Sequence, residues 1–280
     1  MTFGVIENTR AKGRPVNLFL IRYGSSSASY YAYTDSTSPI TTGGVTYQPV
    51  PIKRGAIVVK GNMDKAALEV RMHMALDTVN LFRDYPPSSV VTLVIKQGHL
   101  SDSSHQYLTI WAGRIIAAKR EAPELVMTCE PVRTTLKRLG LRRHYQYSCA
   151  HVLYGERCGA SKSAATESKT VTAVGSRTVA FSASWTLEEQ RKRLGGMIEW
   201  DNANGDPEVR TIIRVAAASG TVTLTLSGAP RDISSGTVIS VVKGCARDMD
   251  GCSSHSNILN FGGCPFIPTK NPVGKTSIYY

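Results

Sequence analysis

The chain has 280 residues, with 33 Lys and Arg against 21 Asp and Glu for a formal charge of +12, and is 42% hydrophobic and 19% charged. That balance excludes a chain held unfolded by self-repulsion, and the length suits two compact units of roughly 100–200 residues each. No apolar run approaches the roughly 20 residues of a membrane-spanning helix, and the opening Met1-Thr2-Phe3-Gly4-Val5-Ile6 lacks the basic-then-apolar order of a secretory leader, so a soluble protein made in a cytoplasm is expected.

Residues 1–130 read as one β domain, a barrel or sandwich. Val16 to Tyr23 is rich in β formers and follows the breaker run Gly13-Arg14-Pro15, which predicts a strand. Tyr30 to Thr34 predicts another, and Val45-Thr46-Tyr47 after Gly43-Gly44 reads as a hairpin return. Ala56 to Lys60 and Ala67 to Met72 continue the strand pattern, Leu76 to Tyr85 reads as a short helix closed by Pro86-Pro87, and Val90 to Lys96 as a strand. Leu108 to Ile116 and Glu124 to Cys129 flank a turn at Ala122-Pro123. Short strands at this spacing are the pattern of an all-β architecture.

From Pro131 the character changes. Pro at a first helical position, then Val132, Leu136 and Leu139 at helical spacing and Gly140 as a stop, predict a helix leading into a second unit. Residues 131–164 and 244–268 form a cysteine-rich domain in this reading. Between them, residues 165–243 carry strand-like runs at 170–174, 178–181, 197–200, 209–215, 221–226 and 237–242, one helix at about Leu187 to Leu194, and the hairpin signal Asn204-Gly205. These predict a small inserted β-barrel whose insertion returns residues 158 and 245 to one place. Residues 269–280 are left as a C-terminal arm, either a tail or a strand that adds to a neighbour's sheet.

The positive charge suits nucleic acid, an anionic surface or an acidic protein. Its densest stretch, Arg133 to Arg143, sits in no zinc-finger, helix-turn-helix or ribonucleoprotein signature, so no specific nucleic acid is expected. A Gly-rich phosphate loop, a His-Glu-x-x-His and a Gly-x-Ser-x-Gly elbow are all missing from the sequence. Cys149 with His151 or His144 is a Cys–His pair by sequence proximity alone, and Asp201, Asp206 and Glu208 surround a hairpin where turn chemistry accounts for them. The reading is therefore a protein that is not an enzyme, with no catalytic residue.

Six cysteines in a chain without a leader are poorly explained as disulfides. Four form two spaced pairs, Cys149 and Cys158 with eight residues between them and Cys245 and Cys252 with six, each near a Gly or Tyr-Gly turn. Four thiolates on two loops suit tetrahedral zinc or an iron–sulfur cluster. The loops exceed the two to four residues usual for zinc ribbons, which tilts the choice toward iron, with buried packing thiols and disulfides formed outside the cell as the alternatives. Cys129 lies in a strand pattern and Cys264 in Gly262-Gly263-Cys264-Pro265, both read as packing or spare thiols, and His255 as a turn residue that could substitute as a ligand.

The pair Cys149 and Cys158 with Tyr154-Gly155 between, a β insertion, then Gly244-Cys245 and Cys252, and the closing Asn260-Phe261-Gly262-Gly263-Cys264-Pro265-Phe266-Ile267-Pro268 resemble the tail-hub family of long-tailed phages. That family includes the hub of gene transfer agents and shares its cysteine pattern with the lambda tail-tip protein L. Tyr33-Thr34-Asp35, Gly44-Val45-Thr46-Tyr47-Gln48-Pro49 and Ile52-Lys53-Arg54-Gly55 extend the resemblance toward the N-terminus. It implies a virion protein of the tail tip, assembled in the host cytoplasm, in which residues 1–130 are a hub domain. It further implies a homotrimer joining the distal tail protein to the central fibre or tip protein, with the tape measure protein as a further candidate neighbour. A four-iron (4Fe-4S) cluster would transfer onto Cys149, Cys158, Cys245 and Cys252, with zinc as the alternative. This chain departs from the family in carrying Cys264 where an aromatic residue often precedes the final Pro. The competing reading is a zinc- or iron-binding enzyme or nucleic-acid-binding module.

Overall fold

The structure, a computed structural model, describes residues 3–9, 13–27, 29–58, 67–83, 85–137 and 145–268. The chain divides into two compact units, Met1–Arg138 with Ala203–Pro207, and Leu139–Asn202 with Glu208–Tyr280. Both are mainly β, as the sequence predicts.

The first unit opens with a five-residue helix, α1 (Phe3–Glu7), that the sequence pattern did not announce. Nine strands follow: β1 (Pro15–Arg22), β2 (Tyr30–Thr34), β3 (Ile40–Thr42), β4 (Val45–Pro49), β5 (Ile52–Arg54), β6 (Leu68–His73), β7 (Thr92–His99), β8 (Leu108–Glu121) and β9 (Glu124–Pro131). They form one sheet in the order β3-β4-β2-β1-β7-β8-β9-β6-β5. The near-continuous apolar run of β1 has a direct cause. Val16 and Leu18 point into one core with Ile40 and Tyr47, while Phe19 and Ile21 point into the other with Val70, Leu93 and Met127. A strand covered on both faces needs apolar residues at every position rather than every second one. The turn of the β3–β4 hairpin puts Gly43 at φ +58° and Gly44 at φ +77°, two consecutive positive values that only glycine adopts without strain.

Three expectations change on inspection. Residues 56–58 carry no strand, and 59–60 lie outside the described residues. The helix expected over 76–85 is a 3₁₀ helix at Asp77–Phe82, and the helix from Pro131 is a 3₁₀ helix at Val132–Lys137, its Gly140 stop lying outside the described residues. Residues 269–280, read as an arm, also lie outside them.

In the second unit β10 (Thr166–Val174), β11 (Thr178–Ser182), β12 (Met197–Asp201), β13 (Pro207–Ala218), β14 (Thr221–Leu226) and β15 (Val238–Val242) close into a barrel in the order β10-β11-β14-β13-β12-β15. Alternating inward residues, among them Val179, Phe181, Val222, Leu224, Ile239 and Val241, fill it and are fully buried. The helix α2 (Leu187–Arg193) starts at a capping box: Thr186 Oγ1 accepts from Glu189 N–H while the Glu189 carboxylate accepts from Thr186 N–H at 2.7 Å. Glu208, read from sequence as a turn residue, is instead buried and pairs with the buried Arg210 at 2.8 Å, whose guanidinium lies 5.6 Å from the Trp200 ring centre.

The barrel strands β10 and β15 bring its entry and exit together. Thr166 pairs with Val242, and Lys243 N–H donates to the Ala165 carbonyl at 3.0 Å. Gly244 follows directly, and a Cβ there would stand 2.0 Å from the Leu194 carbonyl oxygen, so only glycine lets the chain leave the barrel at this point.

Candidate metal centre

The segments before and after the barrel fold against each other in the second unit. Cys264 N–H donates to the Gln146 carbonyl at 2.8 Å, Cys149 N–H to the Arg247 carbonyl at 2.8 Å, and His151 Nδ1 lies 3.2 Å from the Asn260 carbonyl oxygen. Cys158 ends a tight turn, its N–H and that of Gly159 both donating to the Gly155 carbonyl at 3.0 Å. Cys252 sits on a single helical turn, α3 (Met249–Ser253), capped by Asp248 Oδ1, which accepts from Gly251 N–H at 2.6 Å. Tyr154 and Arg247, beside these cysteines, adopt φ of +60° and +63°, left-handed conformations that cost non-glycine residues about 1–2 kcal/mol each.

These turns gather Cys149, Cys158, Cys245 and Cys252 around one cavity of ≈ 70 Å³, completed by His151, His255, Arg247, Asn257 and Asn260 among others. The two spaced pairs picked out by sequence are therefore brought together, across the whole length of the barrel. The cavity is several times the roughly 10–15 Å³ that one water requires. Among the described residues no three His, Cys, Asp or Glu side chains converge on a single-ion position.

N–H groups point at three of the four sulfurs. Gly262 N–H points at Cys149 Sγ at 3.4 Å, Arg247 N–H at Cys245 Sγ at 3.4 Å, and Asn257 Nδ2 at Cys158 Sγ at 3.7 Å. Cys252 differs: its thiol donates to the Asn257 carbonyl at 3.0 Å. Burial pushes the Cys252 thiol up, and the negative charge that Cys245, Cys149 and Cys158 would carry pushes it further. Burial followed by the charges of Cys245 and Cys158 also pushes the Tyr154 phenol up to about 12, with its hydroxyl donating to the Lys243 carbonyl at 2.6 Å. Four thiolates in one small space repel one another unless a cationic group joins them, and thiolate is the form in which cysteine binds metal.

The remaining cysteines separate from this group. Cys129 is fully buried in the core of the first unit, where burial alone pushes its thiol up to about 12; it packs as a small apolar side chain. Cys264 does not line the cavity. His255 lines it, but its Nε2 lies 2.8 Å from the Gly244 carbonyl and its ring packs edge-on against Tyr154, 5.7 Å between centres. That contact makes Nε2 the protonated nitrogen and leaves the lone pair on Nδ1. Sequence reasoning missed Asn257 altogether and took Asn260 only as the first residue of the Asn260-Phe261-Gly262-Gly263 run, without a place at the cavity.

The fold thus comprises an all-β sheet unit and a closed barrel carrying a thiol-lined lobe. A family model described as baseplate hub protein, N-terminal attachment domain, matches residues 18–161, and a second, described as phage conserved hypothetical protein BR0599, matches residues 194–271. The first spans more than half of the chain, and the chain belongs to that baseplate hub family. Cys149 and Cys158 fall in the first match, Cys245 and Cys252 in the second. Among solved structures, a chain of the "Virion of native gene transfer agent (GTA) particle" is similar in fold, with a TM-score of 0.73 and 16% identity over 96% of this chain and 93% of that one. No curated protein matches this chain.

Proposed function

We propose that this baseplate hub protein works at the tail tip of a long-tailed phage as a homotrimer, joining the distal tail protein to the central fibre or tip protein, with the tape measure protein a further candidate neighbour. A 4Fe-4S cluster held by Cys149, Cys158, Cys245 and Cys252 would staple the lobe formed by residues 145–164 and 244–268. The observation that carries the cluster is the cavity itself: four cysteines from two distant segments line it, three of their sulfurs face N–H donors, and the space exceeds that of a lone ion. Four thiolates are the ligand set of a cubane, and zinc held by the same four thiolates in a tetrahedron is the alternative.

The chain's own residues supply what such a group needs. The turns at Gly155 and Asp248 fix two ligands, and N–H donors offset thiolate charge. When bound, the cluster supplies metal–ligand free energy that ties together segments otherwise closed only across a long loop. Such a role demands rigidity and sites for neighbours, not turnover. The deciding experiment is iron, zinc and visible-absorption analysis of protein purified without air, with its mass in solution. Brown trimeric protein with about four irons per chain is the expected result; about one zinc and no iron would replace the cluster by an ion, colourless metal-free protein would return the thiols to packing, and a monomer would remove the trimer.

A further inference from the structure

Resting on that cluster reading, we infer that Asn257 is a positioning residue that joins the two cysteine pairs and sets the reduction potential of the group they hold. Asn257 precedes the 3₁₀ turn Ile258–Asn260, a position where an Asn side chain ordinarily caps the turn by accepting from its N–H groups. Here it makes no such bond. Its Nδ2 donates instead to the Cys158 carbonyl at 2.5 Å and points at Cys158 Sγ at 3.7 Å, while its Oδ1 accepts from Asn260 Nδ2 at 2.7 Å. On the backbone, Asn257 N–H donates to the Cys252 carbonyl at 3.1 Å, a bond that does not depend on the Cys252 thiol proton. One residue thus grips a cysteine from each side of the barrel.

The side chain has been withdrawn from its usual local role, and Asn260 fixes which end of the amide faces Cys158, because the Oδ1 end is already occupied by a donor. An N–H aimed at a ligating sulfur draws off negative charge. The reduced form of a cluster carries one more electron than the oxidised form, so the donor stabilises the reduced form more, and the potential rises. The two other N–H donors, from Gly262 and Arg247, belong to the backbone. Asn257 is therefore a place where a side-chain change alone can tune the site without redirecting the chain.

The test compares full-length wild type, Asn257→Asp, Asn257→Ala and the exposed-site control Ser253→Ala, all purified without air, by iron content and by redox titration of the visible or electron paramagnetic resonance signal. Asp keeps the acceptor for Asn260 and replaces the donor by an acceptor of like charge to the thiolate; Ala removes both. The expected order of midpoint potential is wild type and Ser253→Ala highest, Asn257→Ala lower, Asn257→Asp lowest, with iron retained in at least one Asn257 variant. Iron-loaded variants titrating with the wild type overturn the inference, and so does loss of iron from both Asn257 variants, which would reduce the residue to a structural prop. Wild-type protein that binds no iron overturns the cluster reading and this inference with it, whereas an iron-loaded wild type leaves that reading standing whatever the variants do.

Discussion

At the scale of single residues, the cavity is built so that each thiol depends on the other three. Replacing Cys158 or Cys245 by Ser leaves a hydroxyl, which does not ionise near neutral pH and is a poor ligand for iron, in a lobe that buries little else. If those thiols hold a cluster, the expected outcome is colourless protein whose cysteine lobe, residues 145–164 and 244–268, loses its structure at lower denaturant concentration, read by absorption and by urea titration. Cys129→Ser should keep the colour, because that thiol lies in the other unit's core; equal loss of iron in both would sink the assignment. The contrast also shows which residues were legible in the sequence. The paired spacings picked out the four cysteines that line the cavity because they are carried on turns, and turn residues such as Tyr154-Gly155 and Gly251 leave a visible signature. Asn257 left none, since an Asn before a short turn has an ordinary local explanation, and only the fold shows that its side chain reaches across to residue 158.

Among elements, the barrel strands were read well because alternation survives in a closed sheet with one face inside. The 3₁₀ segments at Asp77–Phe82 and Val132–Lys137 were overcalled as longer helices, since a few apolar residues at helical spacing fit either geometry. Glu208 was misread because a carboxylate beside a hairpin looks solvent-facing until the barrel closes over it and its partner Arg210. Its burial sets a prediction: Arg210→Met strands a buried carboxylate and should cost about 3–5 kcal/mol, whereas replacing both partners with apolar residues should cost much less. Urea unfolding of the single and double variants checks it, and additive losses would count against a coupled pair. The cap of α2 gives a second prediction with a pH signature. The Thr186 N–H and hydroxyl hold the Glu189 carboxyl below its usual range. A carboxyl depressed by folding contributes stability above its unfolded value, near about 4.3, and loses it as pH falls through the folded value. Glu189→Gln should therefore be less stable than wild type at pH 7, with the gap in melting temperature narrowing below about pH 4.

For the whole molecule, the distribution of buried apolar side chains separates parts that fold by packing from a part that needs something more. Among the described residues there are three apolar cores: two belong to the sheet of the first unit and the third lies inside the barrel, over residues Val171–Val241. None includes a residue of the cysteine lobe, where Cys149 and Cys252 are the buried apolar side chains among the described residues, while Tyr145, Val152, Leu259 and Phe266 stand exposed. Hydrogen bonds between its turns fix geometry but contribute little net stability, about 1 kcal/mol each at most sites. The barrel has no such need, because closure leaves no open strand edges and its core contains no cysteine. Stripping metal with a chelator should therefore act selectively. Amide hydrogen exchange is expected to speed up across residues 145–164 and 244–268 while β11, β13 and β14 keep their protection, and restoring iron and sulfide should reverse the change. Uniform loss of protection through the barrel would mean that the lobe and the barrel fold as one, with the cluster supporting both; no change anywhere would mean that the turns hold the lobe without it.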